Sequence, residues 1–398
     1  MREPDLRLVL VCSAVQGLAF SFVLPFMSLF GTLEVKMSLT TFGVFMTVIA
    51  LAGMAISTLV AHRSDVRGSR RSVLLLSSAS GVLGYLGFAL VRDMWLLMLI
   101  GALVLGVAST TFSQLFAYAR ELLETSEIEQ HEAPLYMNTF RMCFALSWTV
   151  GPALAALTLR RWSFIGLFLA ASALYFVFFW LVFWFVPARI PGAPPRVRPD
   201  PTAHAEPNAA SSSWDRNLLG WVSAFVLLFA AQTMSMNNMS LLVLEVLRGN
   251  ESHVGIIFSL APLFELPFML YFGLLATRID STKLIVLAIG LSIVYYGALA
   301  VVRTPEQIYP LQFLSAAIVS VTSGIAITFF QNKLPGRFGA ATNLYSNASR
   351  VGSTSGYLLF GTVAARVGHR GVYVACCALA TLALVLGRWS ERAARKSS

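Results

Sequence analysis

The stretch NTFRMCFALSWTVGP, residues 138–152, places polar and aromatic side chains inside a long apolar run. In a helix Asn138, Arg141 and Trp148 share one face, because side chains three, four and seven positions apart lie above one another. An arginine within a membrane helix costs roughly 2.5 to 3.5 kcal/mol, so it turns toward water or a partner. This face offers hydrogen-bond donors beside an indole ring. We predict that the three residues bind a ligand with hydroxyls and an apolar side, such as a pyranose ring.

An acidic partner for Arg141 is available in the preceding apolar run. In SQLFAYARELLE, Gln114, Tyr118 and Glu121 recur at four and three positions and form one helical face. We predict that Glu121 pairs with Arg141 and that Gln114 joins them in binding the ligand. The alternative is a purely structural ion pair between adjacent helices.

Further polar side chains interrupt other apolar runs of the chain. The additional ligand-binding candidates are Gln16, Gln232, Asn238, Asn347 and Arg350. The alternative for each of them is a hydrogen bond between helices, which is common for buried amides in membranes.

One carboxyl group lies deep within an apolar run. Glu265 stands between Pro262 and Pro267, whereas all five histidines fall in predicted loops. A group that couples proton movement to transport has to change charge inside the membrane. We predict that Glu265, together with Glu121, takes up the proton; the alternatives are a structural pair with Arg350 or a hydrogen bond to the ligand.

The composition indicates a multi-pass membrane protein. The chain has 398 residues, is 57% hydrophobic and 12% charged, and has a mean hydropathy of +0.72. An ordinary soluble domain is about 25% charged. Apolar runs of about 20 residues, enough to cross a bilayer as a helix, predict an all-α protein with twelve spans. They are 7–30, 41–61, 72–91, 94–119, 134–159, 162–186, 217–243, 254–276, 283–302, 307–331, 339–365 and 370–388.

The twelve predicted spans divide into two six-helix halves. Residues 187–216 are rich in proline, alanine and serine and predict a flexible cytoplasmic linker between residues 1–186 and 217–398. Cytoplasmic loops carry an excess of lysine and arginine, and their distribution predicts that both termini are inside. Asn138 and Arg141 are matched by Asn347 and Arg350 in the second half, which is the spacing expected of a duplication.

The end of the second predicted span, VAHRSDVRGSRR, carries a family pattern. Asp65, Gly68, Arg70 and Arg71 resemble the loop signature of the major facilitator superfamily, with Ala61 in place of its first glycine. A charged turn of this kind can exchange salt bridges as the halves move, so these four residues are the predicted gating residues. The alternative is a positive anchor that only fixes the topology.

Three longer strings make the resemblance closer: residues 113–126, 140–156 and 330–347 are similar to segments of bacterial sugar efflux transporters, and the spacing of Arg141 and Trp148 resembles lactose-permease-type carriers. Gly151-Pro152 resembles part of an antiporter motif; its alternative is a packing kink. The resemblance implies the superfamily fold and proton-driven export (antiport) of sugars or glycosides by a monomer in the cell inner membrane.

Other classes of function remain as alternatives. The main one is a drug exporter, and a less favoured one is a sugar sensor that does not transport. We expect no enzyme, because no span carries a cluster suited to catalysis. We also expect no metal, cofactor or nucleic-acid partner; the four cysteines lie in apolar runs and suggest neither a disulfide framework nor a zinc site.

Overall fold

The computed structural model describes residues 3–67, 69–125, 133–187 and 216–397, and every regular element in these ranges is a helix. The side chains at 3–5, 61–67, 133–135, 138, 141, 216, 338 and 393–397 are outside the description. The predicted linker therefore lies outside the described residues.

The longer helices follow the predicted apolar runs. They are α1 (Glu3–Val23), α2 (Leu39–Arg67), α3 (Arg70–Leu90), α4 (Met94–Leu99), α5 (Thr110–Glu124), α6 (Ala133–Phe185), α7 (Arg216–Leu241), α8 (Glu251–Leu275), α9 (Ser281–Val301), α10 (Ile308–Val319), α11 (Ala326–Lys333) and α12 (Phe338–Ser397). Side-chain caps begin several of them: the side chain of Asp93 accepts from the Leu96 N–H at 2.9 Å, and Asp280 accepts from Thr282 at 2.8 Å. Such caps satisfy amide groups that have no partner within the helix.

Ten helical stretches of the described chain are long and apolar enough to cross a membrane. The difference from the predicted twelve comes from α6 and α12, which have 53 and 60 residues and each cover two predicted spans. Both contain a break in helical geometry, at Trp162 and Ser163 in α6 and at Gly368 in α12. At 1.5 Å per residue, either helix as a straight rod would be about 80 Å or longer, more than twice the hydrocarbon thickness of about 30 Å.

Four π-helical turns interrupt or extend the spans at matching places. Phe30–Glu34 follows α1 and Leu242–Val246 follows α7, while Ile100–Leu105 follows α4 and Ser320–Ile325 follows α10. A residue with positive φ follows each of the first two π-helical turns: Lys36 at 61° follows Phe30–Glu34, and Arg248 at 54° follows Leu242–Val246. The breaks in α6 and α12 also contain one each, Ser163 at 58° and Gly368 at 70°. This recurrence supports the duplication that the sequence predicts.

The chain forms two compact units. Among the described residues, those within 1–26 and 48–211 belong to the first unit and those within 27–47 and 212–398 belong to the second. In the first, Tyr118 and Phe140 lie in a buried core built by α1, α3, α5 and α6; in the second, the ring of Trp221 lies edge-on to Phe329, with centroids 4.9 Å apart. Large apolar side chains such as Trp95 and Trp184 are exposed, as expected of a surface that contacts lipid.

Residues 27–47 precede the predicted domain boundary yet pack within the second unit. A Cβ atom on Gly43 would lie 2.7 Å from the Tyr357 carbonyl, and one on Gly361 would lie 2.5 Å from the Leu39 carbonyl. The ring of Phe42 stands edge-on to Phe360, with centroids 6.2 Å apart. Glycine at both crossing positions lets the two backbones touch.

Candidate functional site

A cluster in the first unit joins the predicted gating turn to two predicted ligand residues. Arg70, in the first turn of α3, donates from Nη1 to Gln114 Oε1 at 3.0 Å and from Nε to Glu121 Oε2 at 3.4 Å. Gln114 is 3% exposed, and the Arg70 and Glu121 side chains are 17% and 24% exposed. Glu121 therefore has Arg70 as a partner, which the sequence did not predict. Asp65 (side chain) and Gly68 lie outside the described residues.

Arg71 ties α3 to the second part of α6. Its Nη2 donates to the Phe183 carbonyl at 2.6 Å, and its guanidinium carbon lies 5.7 Å from the centre of the Phe183 ring. The two arginines of the predicted gating turn therefore hold α3 against different neighbours, Arg70 against α5 and Arg71 against α6.

The segment around Arg141 is fixed in place by close packing on α1. The Ser13 hydroxyl donates to the Phe140 carbonyl at 2.7 Å, and the Ser147 hydroxyl donates to the Ala14 carbonyl at 2.8 Å. A Cβ atom on Gly17 would lie 2.7 Å from the Phe144 carbonyl. Because both hydroxyls bond backbone oxygens across the interface, the face of α6 that carries residues 138–148 is held in a defined register against α1.

Of the three residues that opened the sequence argument, the side chains of Asn138 and Arg141 lie outside the description. Trp148 is half-buried on the same helix. Beyond it, Gly151 contacts α1 so closely that an added Cβ would lie 1.8 Å from the Ser21 Oγ. Pro152 stands within α6 without a break, because the non-helical residues of α6 are Trp162 and Ser163. Close packing is thus sufficient to explain Gly151.

Gln16 is almost fully buried and has only one of its polar atoms bonded. Its Nε2 donates to the Tyr175 hydroxyl at 3.1 Å, while Oε1 is buried with no hydrogen-bond partner among the described residues. The Tyr175 ring lies 5.5 Å from Tyr85, measured between centroids. A buried acceptor without a donor costs about 1 to 3 kcal/mol, so a ligand hydroxyl that donated to Gln16 Oε1 would recover that cost.

In the second unit, Asn347 and Arg350 on α12 are exposed and Glu265 on α8 is half-buried. Within the described residues neither Glu265 nor Arg350 has an ion-pair partner, so the structural pair between them, considered from the sequence, is not formed. An exposed arginine on an apolar span is expected to face water rather than lipid. The Glu265 carbonyl accepts from the Ser320 hydroxyl at 3.2 Å, which links α8 to the π-helical turn after α10.

Two amides of α7 behave differently from each other. Gln232 is half-buried and donates to the Thr322 hydroxyl at 3.3 Å. Asn238 is fully buried: its Nδ2 donates to the His369 carbonyl at 2.8 Å, and its Oδ1 lies 2.7 Å from His369 Nδ1. Since both polar atoms of Asn238 bond to His369, the structure gives this predicted ligand residue an interhelical role.

Three of the five histidines lie in helices, whereas the sequence predicted loops. His62 is in α2, His253 belongs to the first turn of α8, and His369 follows the break in α12 with 9% exposure. His131 and His204 lie outside the described residues. The apolar runs on either side of Gly368 did not indicate that His369 is buried, because burial of a histidine beside a helix break depends on its neighbours in space.

A cavity of about 400 Å³ lies in the second unit, and its lining includes none of the predicted ligand residues. Its polar lining comes from Asp280, Ser281, Ser320, Thr328 and Asn332. The Ser320 hydroxyl bonds the Glu265 carbonyl, so the cavity is next to the helix segment that carries this half-buried acid. No spacing pattern in the sequence indicated this site, because its lining comes from two separate stretches of the chain, 269–281 and 320–332.

Comparison with known proteins places the fold and the family. The model of the major facilitator superfamily matches residues 9–334 and 221–398. The nucleoside transporter NupG is a solved structure with a TM-score of 0.73 at 14% identity, covering 98% of this chain and 98% of its own.

Relatives similar in sequence narrow the class. A putative sugar efflux transporter of Deinococcus radiodurans is 36% identical over 94% of this chain and 95% of its own length. Sugar efflux transporter A of Dickeya chrysanthemi is 29% identical over 97% and 96%, and a multidrug resistance protein MdtG of Proteus mirabilis is 24% identical over 93% and 92%. The chain belongs to the sugar efflux transporter family of the major facilitator superfamily, and is thus a multi-pass membrane protein.

Proposed function

We propose that the protein exports sugars or glycosides across the bacterial inner membrane in exchange for protons, by alternating access. The observation that carries the proposal is the 36% identity to a putative sugar efflux transporter over nearly the whole chain. The polar residues inside the spans support it, since a sugar needs fixed donors and acceptors. Transporters with two similar halves commonly work by one half rocking against the other.

The proposal includes twelve spans with both termini in the cytoplasm and a monomeric carrier. The breaks at Ser163 and Gly368 would each separate two spans, giving halves 1–186 and 217–398 joined by residues 187–216. Reporter fusions at residue 163 and residue 368 test this topology. Both should report the outside, and a fusion at residue 200 should report the cytoplasm.

For the substrate we propose contacts with Arg141, Asn138 and Trp148 on α6, with Gln16 supplying an acceptor. The packing of Ser13 and Ser147 supports this, because it fixes α6 against the helix that carries Gln16. Gln114 and Glu121 would act on the sugar through the Arg70 cluster. In the second half we keep Gln232, Asn347 and Arg350 as substrate residues and leave out Asn238, whose polar atoms are bonded to His369.

For proton coupling we propose Glu265, with Glu121 as a second carboxyl group. Glu265 is half-buried in an apolar helix and has no ion-pair partner among the described residues. A paired cation would favour the ionised carboxylate, so a carboxyl group without one can take up a proton more readily. Glu265→Gln should abolish accumulation driven by a pH gradient while exchange of labelled for unlabelled sugar continues. Intact gradient-driven accumulation in this variant would remove Glu265 from the coupling role.

The decisive experiment is uptake of a labelled panel of galactosides and glucosides into inverted membrane vesicles. Wild type, Arg141→Ala and Arg160→Ala are compared with and without an acidic vesicle interior; Arg160 is an exposed control on the same helix. We expect gradient-dependent uptake that is lost only in Arg141→Ala. Uptake of a lipophilic dye without sugar would favour a drug exporter, and sugar binding without flux would favour a sensor.

A further inference from the structure

His369 sits where the end of α7 meets the break in α12. Its ring lies between two side chains that come from the other helix and its extension: Nδ1 is 2.7 Å from Asn238 Oδ1, and Nε2 is 3.1 Å from Glu245 Oε2. The imidazole is 9% exposed, whereas the Glu245 side chain is 39% exposed. The contact therefore has one buried side and one side that reaches water.

The hydrogen bonds of Asn238 determine which ring nitrogen carries a proton. Asn238 Nδ2 donates to the carbonyl of His369 at 2.8 Å, and a carbonyl can only accept. The amide orientation is thereby set, so the Asn238 oxygen faces the ring and His369 Nδ1 must be the donor. In a neutral ring, Nε2 then carries no hydrogen and can only accept a hydrogen bond.

The contact between His369 and Glu245 is therefore favourable only if it contains a second proton. An ionised carboxylate only accepts hydrogen bonds, and two acceptors 3.1 Å apart would repel each other. The contact is favourable when Nε2 also carries hydrogen, which makes the ring an imidazolium paired with a carboxylate. A carboxylic acid ordinarily gives up its proton more readily than an imidazolium does, so the proton belongs on the ring.

A second contact between a histidine and a glutamate in the same unit is satisfied by a neutral ring. His253 Nδ1 accepts from the backbone N–H of Asn250 at 3.1 Å, and its Nε2 lies 3.2 Å from Glu306 Oε1. A neutral ring with hydrogen on Nε2 satisfies both bonds. His253 with Glu306 is therefore a matched contact that needs no additional proton.

We propose that His369 and Glu245, oriented by Asn238, form a proton-binding site. When the proton is bound, the site holds the end of α7 to the break at Gly368. When the proton leaves, a lone pair and a carboxylate oxygen face each other and the contact loosens. The site is defined by donors and acceptors alone, so it is independent of which substrate is carried.

The neighbouring charged groups have other partners or lie on adjoining segments. Arg370 donates to the Ala300 carbonyl at 2.8 Å, and the Tyr373 hydroxyl donates to the Ser235 carbonyl at 3.5 Å. The other titratable side chains on neighbouring segments of the described chain include Glu34, Lys36, Arg248, Glu251, Tyr295, Tyr296, Arg366 and Cys376. Histidine is the side chain among these types that ordinarily changes charge between pH 5 and 8.

The test is nitrogen NMR of purified protein labelled at the histidine rings, without any sugar present. His369→Asn identifies the resonances of His369, and His253→Asn those of the matched contact. At pH 6 we expect hydrogen on both nitrogens of His369, because each nitrogen faces an oxygen that accepts. His253 should carry hydrogen on Nε2 only. A neutral His369 ring at pH 6 would overturn the proposal.

The substitution Glu245→Gln supplies an amide N–H as the hydrogen-bond donor in place of the proton on the ring. In Glu245→Gln, the side-chain N–H₂ can donate to a bare Nε2, so the neutral ring is satisfied and the contact should no longer depend on pH. The thermal unfolding midpoint of wild type should fall by about 2 °C or more between pH 6 and 9 relative to this variant. Glu306→Gln, the matched control, should behave as wild type. Identical pH dependence in Glu245→Gln and wild type would contradict the proposal, whatever the outcome of the sugar uptake experiment.

Discussion

The contact of Arg70 with Gln114 and Glu121 can be tested as a coupled unit. In Arg70→Ala both acceptors lose a charged donor. The Gln114 bond is short at 3.0 Å and deeply buried, whereas the Glu121 bond is long at 3.4 Å. Removal should therefore both destabilise the first unit and weaken transport, because the same side chain joins the predicted gating turn to predicted ligand residues.

The magnitude follows from burial and distance. A hydrogen bond from a charged donor is worth about 1.5 to 3 kcal/mol, and the Gln114 contact meets that description at 3% exposure. The Glu121 contact is partly exposed and longer, so screening reduces it to about 0.5 to 1 kcal/mol. The coupling energy between Arg70 and Gln114 should exceed the coupling energy between Arg70 and Glu121.

Double-mutant cycles measure the two couplings directly. Arg70→Ala is combined with Gln114→Ala and, separately, with Glu121→Ala, and unfolding free energies are measured in detergent micelles. A pair on the same helix provides the control. Arg120 Nε and Glu124 Oε1 are 3.0 Å apart but their side chains are 76% and 63% exposed, so their coupling should stay below about 0.5 kcal/mol.

Two results would refute this reasoning. If the coupling of Arg70 to Gln114 is no larger than that of Arg120 to Glu124, burial does not strengthen the contact. If Arg70→Ala and Arg70→Lys keep full sugar export, the cluster is a structural brace and the gating assignment of Arg70 fails.

Three further changes test other parts of the structure. Trp148→Ala should weaken sugar binding about fivefold, the effect of losing about 1 kcal/mol of ring contact, and Trp148→Phe should weaken it less; unchanged affinity in direct binding measurements would remove Trp148 from the site. Gly151→Ala should destabilise the protein by about 1 to 3 kcal/mol through overpacking against Ser21, and Ser21→Gly should restore part of the unfolding midpoint; a midpoint equal to wild type in the single variant would contradict the close contact. Burial raises the pKa of Asp280, but hydrogen bonds from Thr282 and the nearby positive charge of a lysine outweigh it and lower the pKa overall. The stability that the charged Asp280 contributes is present above its ordinary pKa of about 3.9 and lost as the pH falls through the lowered value, so the midpoint difference between wild type and Asp280→Asn should shrink below about pH 4; a constant difference would argue against it.

The predicted spans and the observed helices agree where local sequence is decisive. Apolar runs of sufficient length must form helices in a bilayer, because every backbone polar group needs a partner inside the segment. The positions of α3, α8 and α9 follow from this. The same reasoning could not show that the helix continues from residue 133 to residue 185 with a break at Ser163, because the break depends on backbone geometry rather than on composition.

The candidate site was predictable only in part. A face that carries Gln114 and Glu121 follows from helical spacing, but spacing cannot say which cation on another helix reaches it. Arg70 reaches Glu121 because α3 packs beside α5, which places the gating turn next to a residue fifty-one positions later in the chain. In the same way, Asn238 was predicted to bind the ligand, with a hydrogen bond between helices as the alternative, while its partner His369 was assigned to a loop.

The sequence alone determined that this chain is a membrane protein and that it resembles sugar efflux transporters, since length, hydropathy and quoted motifs are local properties of the chain; the duplication of its halves stays a prediction. The tertiary structure decided which polar groups meet. It bonded Gln16 to Tyr175 and left one of its atoms unsatisfied, and it placed the ring of His369 between Asn238 and Glu245. Partners that are more than a hundred residues apart come together through helix packing, and no periodicity along the chain encodes that packing.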